Sequence, residues 1–268
     1  MRRLIIRPGG IGDCILSFPA IEHLRADSTE VWTPSLILPL VRFADHVSSI
    51  ASTGIDLMGL HGITPPSKLV RRLRGFDSIV SWYGSNRPQF REQVRALELP
   101  FKFLTALPPK NSPIHCADFF LQQAGGSGAA VPQIPVPPIP RENFAVIHPF
   151  SGSPRKNWPI EKFRDLAPCL EMPVHWCAGP DETLAGARRI EDLYDLACWL
   201  AAARVYIGND SGISHLAAAV GTPTVAIFGP TDPEIWAPRG ERVRVVAGGL
   251  TSISVDQVLG AVHSLCVD

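Results

Sequence analysis

The sequence lacks any excess of charge of one sign: 25 Lys and Arg are matched by 25 Asp and Glu, and no block of like charge runs along it. An electrostatic footprint for nonspecific nucleic-acid binding is therefore missing, and a compact, localised ligand is expected instead. No stretch approaches ~18 uninterrupted apolar residues. The opening MRRLIIRPGGIGD breaks its apolar run at Arg7 and the glycines before a signal-peptide core is complete. A cytoplasmic protein is expected, with association at the inner face of the membrane left open. The six cysteines, Cys14, Cys116, Cys169, Cys177, Cys198 and Cys266, have no paired metal-type spacing and read as buried thiols. His148, His175 and His215 lack the i, i+4 pairing of a metal helix, so no metal site is expected.

What is there is an alternation. In 268 residues, enough for one large domain or two small ones, LIIR reads as a strand, followed by a glycine loop and a helix carrying Ile15, Phe18, Ile21 and Leu24. Pro19 is expected to kink or loosen that helix. Strands are expected at Val31 to Leu38 and Ser78 to Trp82, the first irregular or at a sheet edge because of Pro34. Helices are expected near Pro66 to Arg74 and Pro88 to Leu97. GGSGAAVPQIPVPPIP, starting at Gly125, favours an extended connector. Beyond it FAVIHPF, PVHWCAG, RVYIG and TVAIFG read as strands, and IEKFRDLAPCL, IEDLYDLACWLAAA and ISHLAAAV as helices. Strands alternating with helices imply parallel strands and crossovers, here two α/β halves with a cleft between them.

Three loops at the carboxyl ends of these strands carry chemistry. In NDSGISH, Asp210, Ser211, Gly212 and His215 open a helix whose exposed amides favour a phosphate. Helix capping by Asp210 or Ser211 is the alternative. HPFSGSPRKNWP offers Ser151, Gly152 and Lys156 without Walker spacing, so a phosphate turn and an ordinary strand-to-helix loop both remain open. Trp158 and Pro159 are expected to staple that loop to the following helix. RPGGIGD, with Gly9, Gly10 and Gly12, lacks the G-x-G-x-x-G order and places Asp13 where it would repel a pyrophosphate. An acid there suits general-base work on a hydroxyl, or helix capping. In GPDET, Asp181 or Glu182 either meets a ribose or sugar hydroxyl or sits in a surface turn.

Taken in order, RPGGIGDCILSFPAIEHLR, IHPFSGSPRKNWPIEKFRDLA and YIGNDSGISHLAAAVGTPTVAIFGPTDPEIWAP resemble the heptosyltransferase-like glycosyltransferases of family nine. The likeness is weak between about Asp27 and Asn143. It implies an α/β GT-B fold, two facing Rossmann-like domains with a central cleft. The expected boundaries are an acceptor-side domain over 1–124, a linker over 125–143 and a nucleotide-sugar domain over 144–268. It implies an inverting transferase that needs no metal or other cofactor. The donor would be a nucleotide-diphospho-sugar, ADP-linked heptose being favoured, and the partner a glycan or glycolipid acceptor, as in lipopolysaccharide synthesis. By the same resemblance Asp13 is the catalytic base and Lys156 meets the donor diphosphate. Ser151 and Gly152 share the lysine's loop, and Asp210, Ser211, Gly212 and His215 lie beside the diphosphate and donor sugar; apart from the resemblance, Glu182 is expected as a further donor contact from its place in GPDET. Ser211 replaces a commoner threonine, Gly152 stands where a hydroxyl residue often occurs, and the first half is shorter than in typical members. The alternative is a noncatalytic nucleotide-sugar-binding protein; a nicotinamide-dependent dehydrogenase is disfavoured by the glycine order.

Overall fold

The computed structural model describes residues 1–266; the side chain of Cys266 and residues 267 and 268 lie outside what is described. The chain divides into two compact units. The first is Met1–Gly10, Ser17–Ser112 and Ala117–Ala130; the second is Ile11–Leu16, Pro113–Cys116 and Val131–Asp268.

The first unit is built on β1 (Arg2–Ile6), most of α1 (Ile11–His23), β2 (Ser28–Thr33), β3 (His46–Ser49), α2 (Ser67–Arg74), β4 (Ser78–Ser81), α3 (Pro88–Ala96), β5 (Phe101–Phe103) and α4 (Cys116–Ala124). Its sheet runs β3-β2-β1-β4-β5, all parallel. Leu4, Ile5 and Ile6 of β1 are all buried, as a central parallel strand covered on both faces requires. α2 buries Leu69 and Leu73 against Trp32 and Phe90 and turns Lys68, Arg71 and Arg74 to solvent. The buried Glu30 accepts a 2.7 Å hydrogen bond from Trp32 Nε1 and pairs with Arg72. α1 runs through Pro19 as one helix.

Two expectations are corrected here. The strand expected over Val31 to Leu38 is Ser28–Thr33, and Ser35–Leu40 is a 3-10 turn, because Pro34 ends the strand and Pro39 lies within the turn. Nor is β2 an edge strand: it pairs with both β1 and β3. The proline lies past the ladder and removes no donor from it.

The second unit follows with β6 (Glu142–His148), α5 (Ile160–Leu166), β7 (Val174–Trp176), α6 (Leu193–Ala202), β8 (Ala203–Asn209), α7 (Gly212–Ala219), β9 (Thr224–Phe228), α8 (Pro233–Trp236), β10 (Val243–Ala247) and α9 (Val255–Cys266). Its parallel sheet runs β10-β9-β8-β6-β7. The order reverses between β6 and β8, so the loops leaving their carboxyl ends flank a topological switch point, the place where open α/β sheets bind ligands. α5, α9 and the inner strands close a core around Trp158, Phe163, Ile147, Ile207 and Val258.

Of the cysteines, Cys14, Cys116 and Cys177 are buried as expected; Cys169 is exposed and Cys198 half-buried, on helix faces turned from the core. The charge balance also hides a division. The first unit holds 14 Lys and Arg against 9 Asp and Glu, and the second 11 against 16, giving +5 and −5.

Candidate active site

β6 delivers the chain to the loop Pro149–Pro159, and the fully buried Asn209 at the end of β8 holds that loop in place. Its Nδ2 donates to Pro149 O (2.8 Å) and its Oδ1 accepts from Trp158 N (2.8 Å). Trp158 is the expected staple: its ring is buried against Phe163 and its Nε1 donates to Ile253 O at 3.1 Å. Within the loop, Ser151 Oγ lies 2.7 Å from both Ser153 O and Asn157 Oδ1, so its hydroxyl is committed to loop geometry. Gly152 is exposed, and a Cβ there would meet nothing within 4 Å.

Lys156 closes this loop onto the next one. Its Nζ is 2.7 Å from Asp210 Oδ2, an ion-pair contact without hydrogen-bond alignment. Asp210 is only 7% exposed and Lys156 34%, so the pair faces outward through the lysine. An acid buried to this degree needs a cation at hand, and Lys156 supplies it. Ser211 takes the capping role: its side chain accepts from Ser214 N at the start of α7. Ser214 in turn donates to Asn209 O, fixing the turn between β8 and α7.

The first turn of α1 belongs to the same unit and meets the first turn of α7. A Cβ on Gly12 would stand 2.8 Å from His215 Cδ2, and one on Gly212 would stand 2.6 Å from Ile11 Cβ and 3.1 Å from Gly12 N. Both positions require glycine because the two turns touch. Ile11 fills the space that a side chain on Gly212 would take. Gly9 has φ 131°, a backbone conformation that favours glycine. Asp13 lies half-buried in the first turn of α1, near the positive end of the helix dipole.

His215 joins these parts. It is buried, and burial drives its imidazole down to about 4; Asp210 and Asp13 oppose the shift while His115 and Lys156 reinforce it. At neutral pH it is an uncharged ring among two carboxylates and a lysine. The sequence pointed to Asp13, Lys156, Asp210 and His215 separately, and the fold brings them around one imidazole. His115, which contacts Ala237 O at 2.8 Å, had no motif to reveal it.

Glu182 stands in a second cluster. Its Oε2 lies 3.0 Å from His148 Nε2 and accepts from Gly179 N at 2.6 Å. Burial alone would raise its carboxyl, but His148, the Gly179 amide and Arg189 together hold it below the usual range. The GPDET segment is thus a turn organised by its own glutamate, while Asp181 is exposed. His148 was considered only as a metal ligand; its position at the end of a strand, beside a loop of interest, was the available signal for a partner role. Among the described residues no group of three or more His, Cys, Asp or Glu is arranged to hold a metal.

The family model of glycosyltransferase family 9 (heptosyltransferase) matches residues 120–257, more than half of the chain. The chain belongs to glycosyltransferase family 9. The match takes in Lys156, Glu182, Asp210 and His215 and leaves out the first turn of α1. This family 9 chain is 32% identical over 88 residues to lipooligosaccharide heptosyltransferase 2 of Haemophilus influenzae, covering 32% of the chain and 25% of that relative. It thus spans about a quarter of the length of that curated relative. Among solved structures, a family 9 glycosyltransferase from Veillonella parvula superposes with a TM-score of 0.77 at 17% identity, over 99% of this chain and 97% of the other. ADP-heptose lps heptosyltransferase II of E. coli gives 0.74 at 19% identity, over 99% and 98%. The family 9 chain therefore has the GT-B type of fold, with two parallel-sheet α/β domains. No helix among the described residues is long and apolar enough to cross a membrane.

Proposed function

We propose that this family 9 chain is an inverting glycosyltransferase that uses an ADP-linked heptose as donor and an anionic lipopolysaccharide-type glycolipid as acceptor. One observation carries the reading: Lys156, Asp210 and Asp13 surround a neutral His215 where two helix N-termini meet at the switch point of the second sheet. The donor diphosphate would lie at the amides opening α7, drawing Lys156 partly away from Asp210. Lys156 and those amides would then stabilise the charge that develops as the diphosphate leaves. Asp13 would take the proton from an acceptor hydroxyl as the oxygen attacks the anomeric carbon from the face opposite the diphosphate. Because a lysine and amides do the neutralising, turnover is expected to survive exhaustive chelation.

The name of the E. coli structural neighbour supports the choice of donor. The charge of the first unit supports the choice of acceptor: +5 overall, with Lys68, Arg71 and Arg74 exposed on α2 and Leu60 and Ile63 exposed just before it. Basic side chains beside apolar ones suit an anionic membrane face and support a peripheral association with the inner leaflet. The test is single-turnover transfer from ADP-heptose, and from UDP-, GDP- and dTDP-sugars in parallel, to a deacylated lipid A–Kdo acceptor. Transfer confined to ADP-heptose is expected. Tight ADP-heptose binding with no product on any acceptor of a broad panel would leave the chain a nucleotide-sugar-binding protein.

A further inference from the structure

A cavity of the second unit opens at the amino edge of its sheet, the edge opposite the carboxyl ends that carry the site above. It has a volume of about 550 Å³. One wall is the connector, with Val131, Ile134 and Val136; the others are the end of α7 and the approach to β10. Arg141, immediately before β6, and Arg242, immediately before β10, both line it. Arg141 Nη2 donates to Gly221 O at 2.6 Å and Arg242 Nη2 to Leu265 O at 2.8 Å. Each bond answers a carbonyl near a helix carboxyl end, α7 for the first and α9 for the second, so helix capping accounts for one N–H of each guanidinium.

Capping does not account for two arginines sharing one concavity. Neither forms an ion pair among the described residues, and Glu241 on the same rim pairs with neither. Burial, and after it the nearby Arg242, hold the Arg141 guanidinium below its ordinary value. Each guanidinium keeps further N–H donors beyond its carbonyl bond, and arginine's planar fork matches phosphate oxygens in pairs. The cavity far exceeds the volume of a phosphate alone, and its connector wall is apolar.

We infer that this cavity is a second binding site, for an organic phosphate whose anionic head lies between Arg141 and Arg242 and whose apolar body lies along Val131, Ile134 and Val136. A dianionic head suits two cations better than a carboxylate does.

Calorimetry with phenyl phosphate on the full chain, in the presence of saturating ADP to occupy the donor site, tests it. Binding is expected, tighter than that of inorganic phosphate by at least threefold because the ring contacts the apolar wall. Arg141→Gln with Arg242→Gln is expected to weaken it tenfold or more, with ADP affinity unchanged. Glu241→Gln removes the one carboxylate on the rim and is expected to tighten it about threefold, an outcome that does not depend on the arginine variants folding. Lys156→Ala is expected to leave it unaltered. Binding that ADP abolishes, that Lys156→Ala removes, or that neither the arginine pair nor Glu241→Gln changes would overturn the proposal, the first two by assigning the phosphate to the donor site.

Discussion

The two units use the same parts in different orders. The first sheet runs β3-β2-β1-β4-β5 and the second β10-β9-β8-β6-β7. Numbered within its own unit, the second is the flavodoxin-like order and the first the Rossmann order. The first unit carries +5 and exposes six basic side chains on α2 and α3; the second carries −5 and sets its one loop lysine against a buried acid. Its motifs also differ in kind. In the second unit, polar residues at strand ends are tied to one another: Asn209 to Trp158, Ser211 to Ser214, Lys156 to Asp210. In the first, the prominent polar centre is Glu30 with Trp32 and Arg72, an arrangement that stabilises a strand. Preorganised polar groups are what a transferred charge needs, so the proposed function assigns chemistry to the negative unit and attraction of the acceptor to the positive one.

The sharpest way to break that contrast is Asp13→Asn. Single-turnover transfer should fall ~100-fold or more while calorimetric donor affinity stays within about twofold, because a positioned base contributes ~10²–10⁴ and asparagine keeps the shape. Near-normal transfer would reduce Asp13 to a helix-start residue.

Acid should separate the units next. His215 is held at about 4 in the folded protein against 6.5 for a free imidazole. The unfolded chain therefore gains a proton near 6.5 that the folded chain refuses until about 4. Stability is fully present above 6.5 and is lost as pH falls through that window, by about 3 kcal/mol. Urea titrations at pH 7 and 4.5 should show a larger loss for the natural chain than for His215→Gln; equal losses would exclude His215 as the cause.

Lys156→Ala should weaken ADP binding by about 1.5–3 kcal/mol, the range for a hydrogen bond to a charged group. It also leaves Asp210 buried without its cation, so Lys156→Ala with Asp210→Asn should recover stability and not affinity. Recovery of both would make the pair purely structural. The smallest effect expected is that of Gly212→Ala, which sets a methyl against Ile11 and should cost about 1–3 kcal/mol of stability. Gly152→Ala, facing open space, serves as its control.

Much of this was legible beforehand. Apolar runs bounded by glycine and proline located β1, β4, β6, β8 and β9, since central parallel strands are apolar on both faces. β3, β5 and β10 escaped because His46–Ser49 and Phe101–Phe103 are short and Val243–Ala247 is largely exposed. α9 is not among the expected elements, although its buried Val258, Val262 and Leu265 recur at helical spacing. At the site, residue types gave Lys156, Asp210 and His215. That Asn209 clamps a loop 51 residues away in sequence, or that Gly12 needs His215 beside it, depends on pairings no local pattern records.

The contact between Gly12 and His215 also sets a schedule. The segment Ile11–Leu16 is made some 200 residues before the stretch in which its first turn finds His215 and Gly212. At ~5–20 residues per second, translation separates the two by roughly 10–40 s. During that interval β1 can pair within its own unit while Ile11 and Gly12 wait without the α7 turn that they finally touch. The first turn of α1 should thus be among the last pieces to gain protection from hydrogen exchange during refolding or synthesis, although it is made long before α7. A chaperone that shields apolar side chains would find that segment exposed for longest.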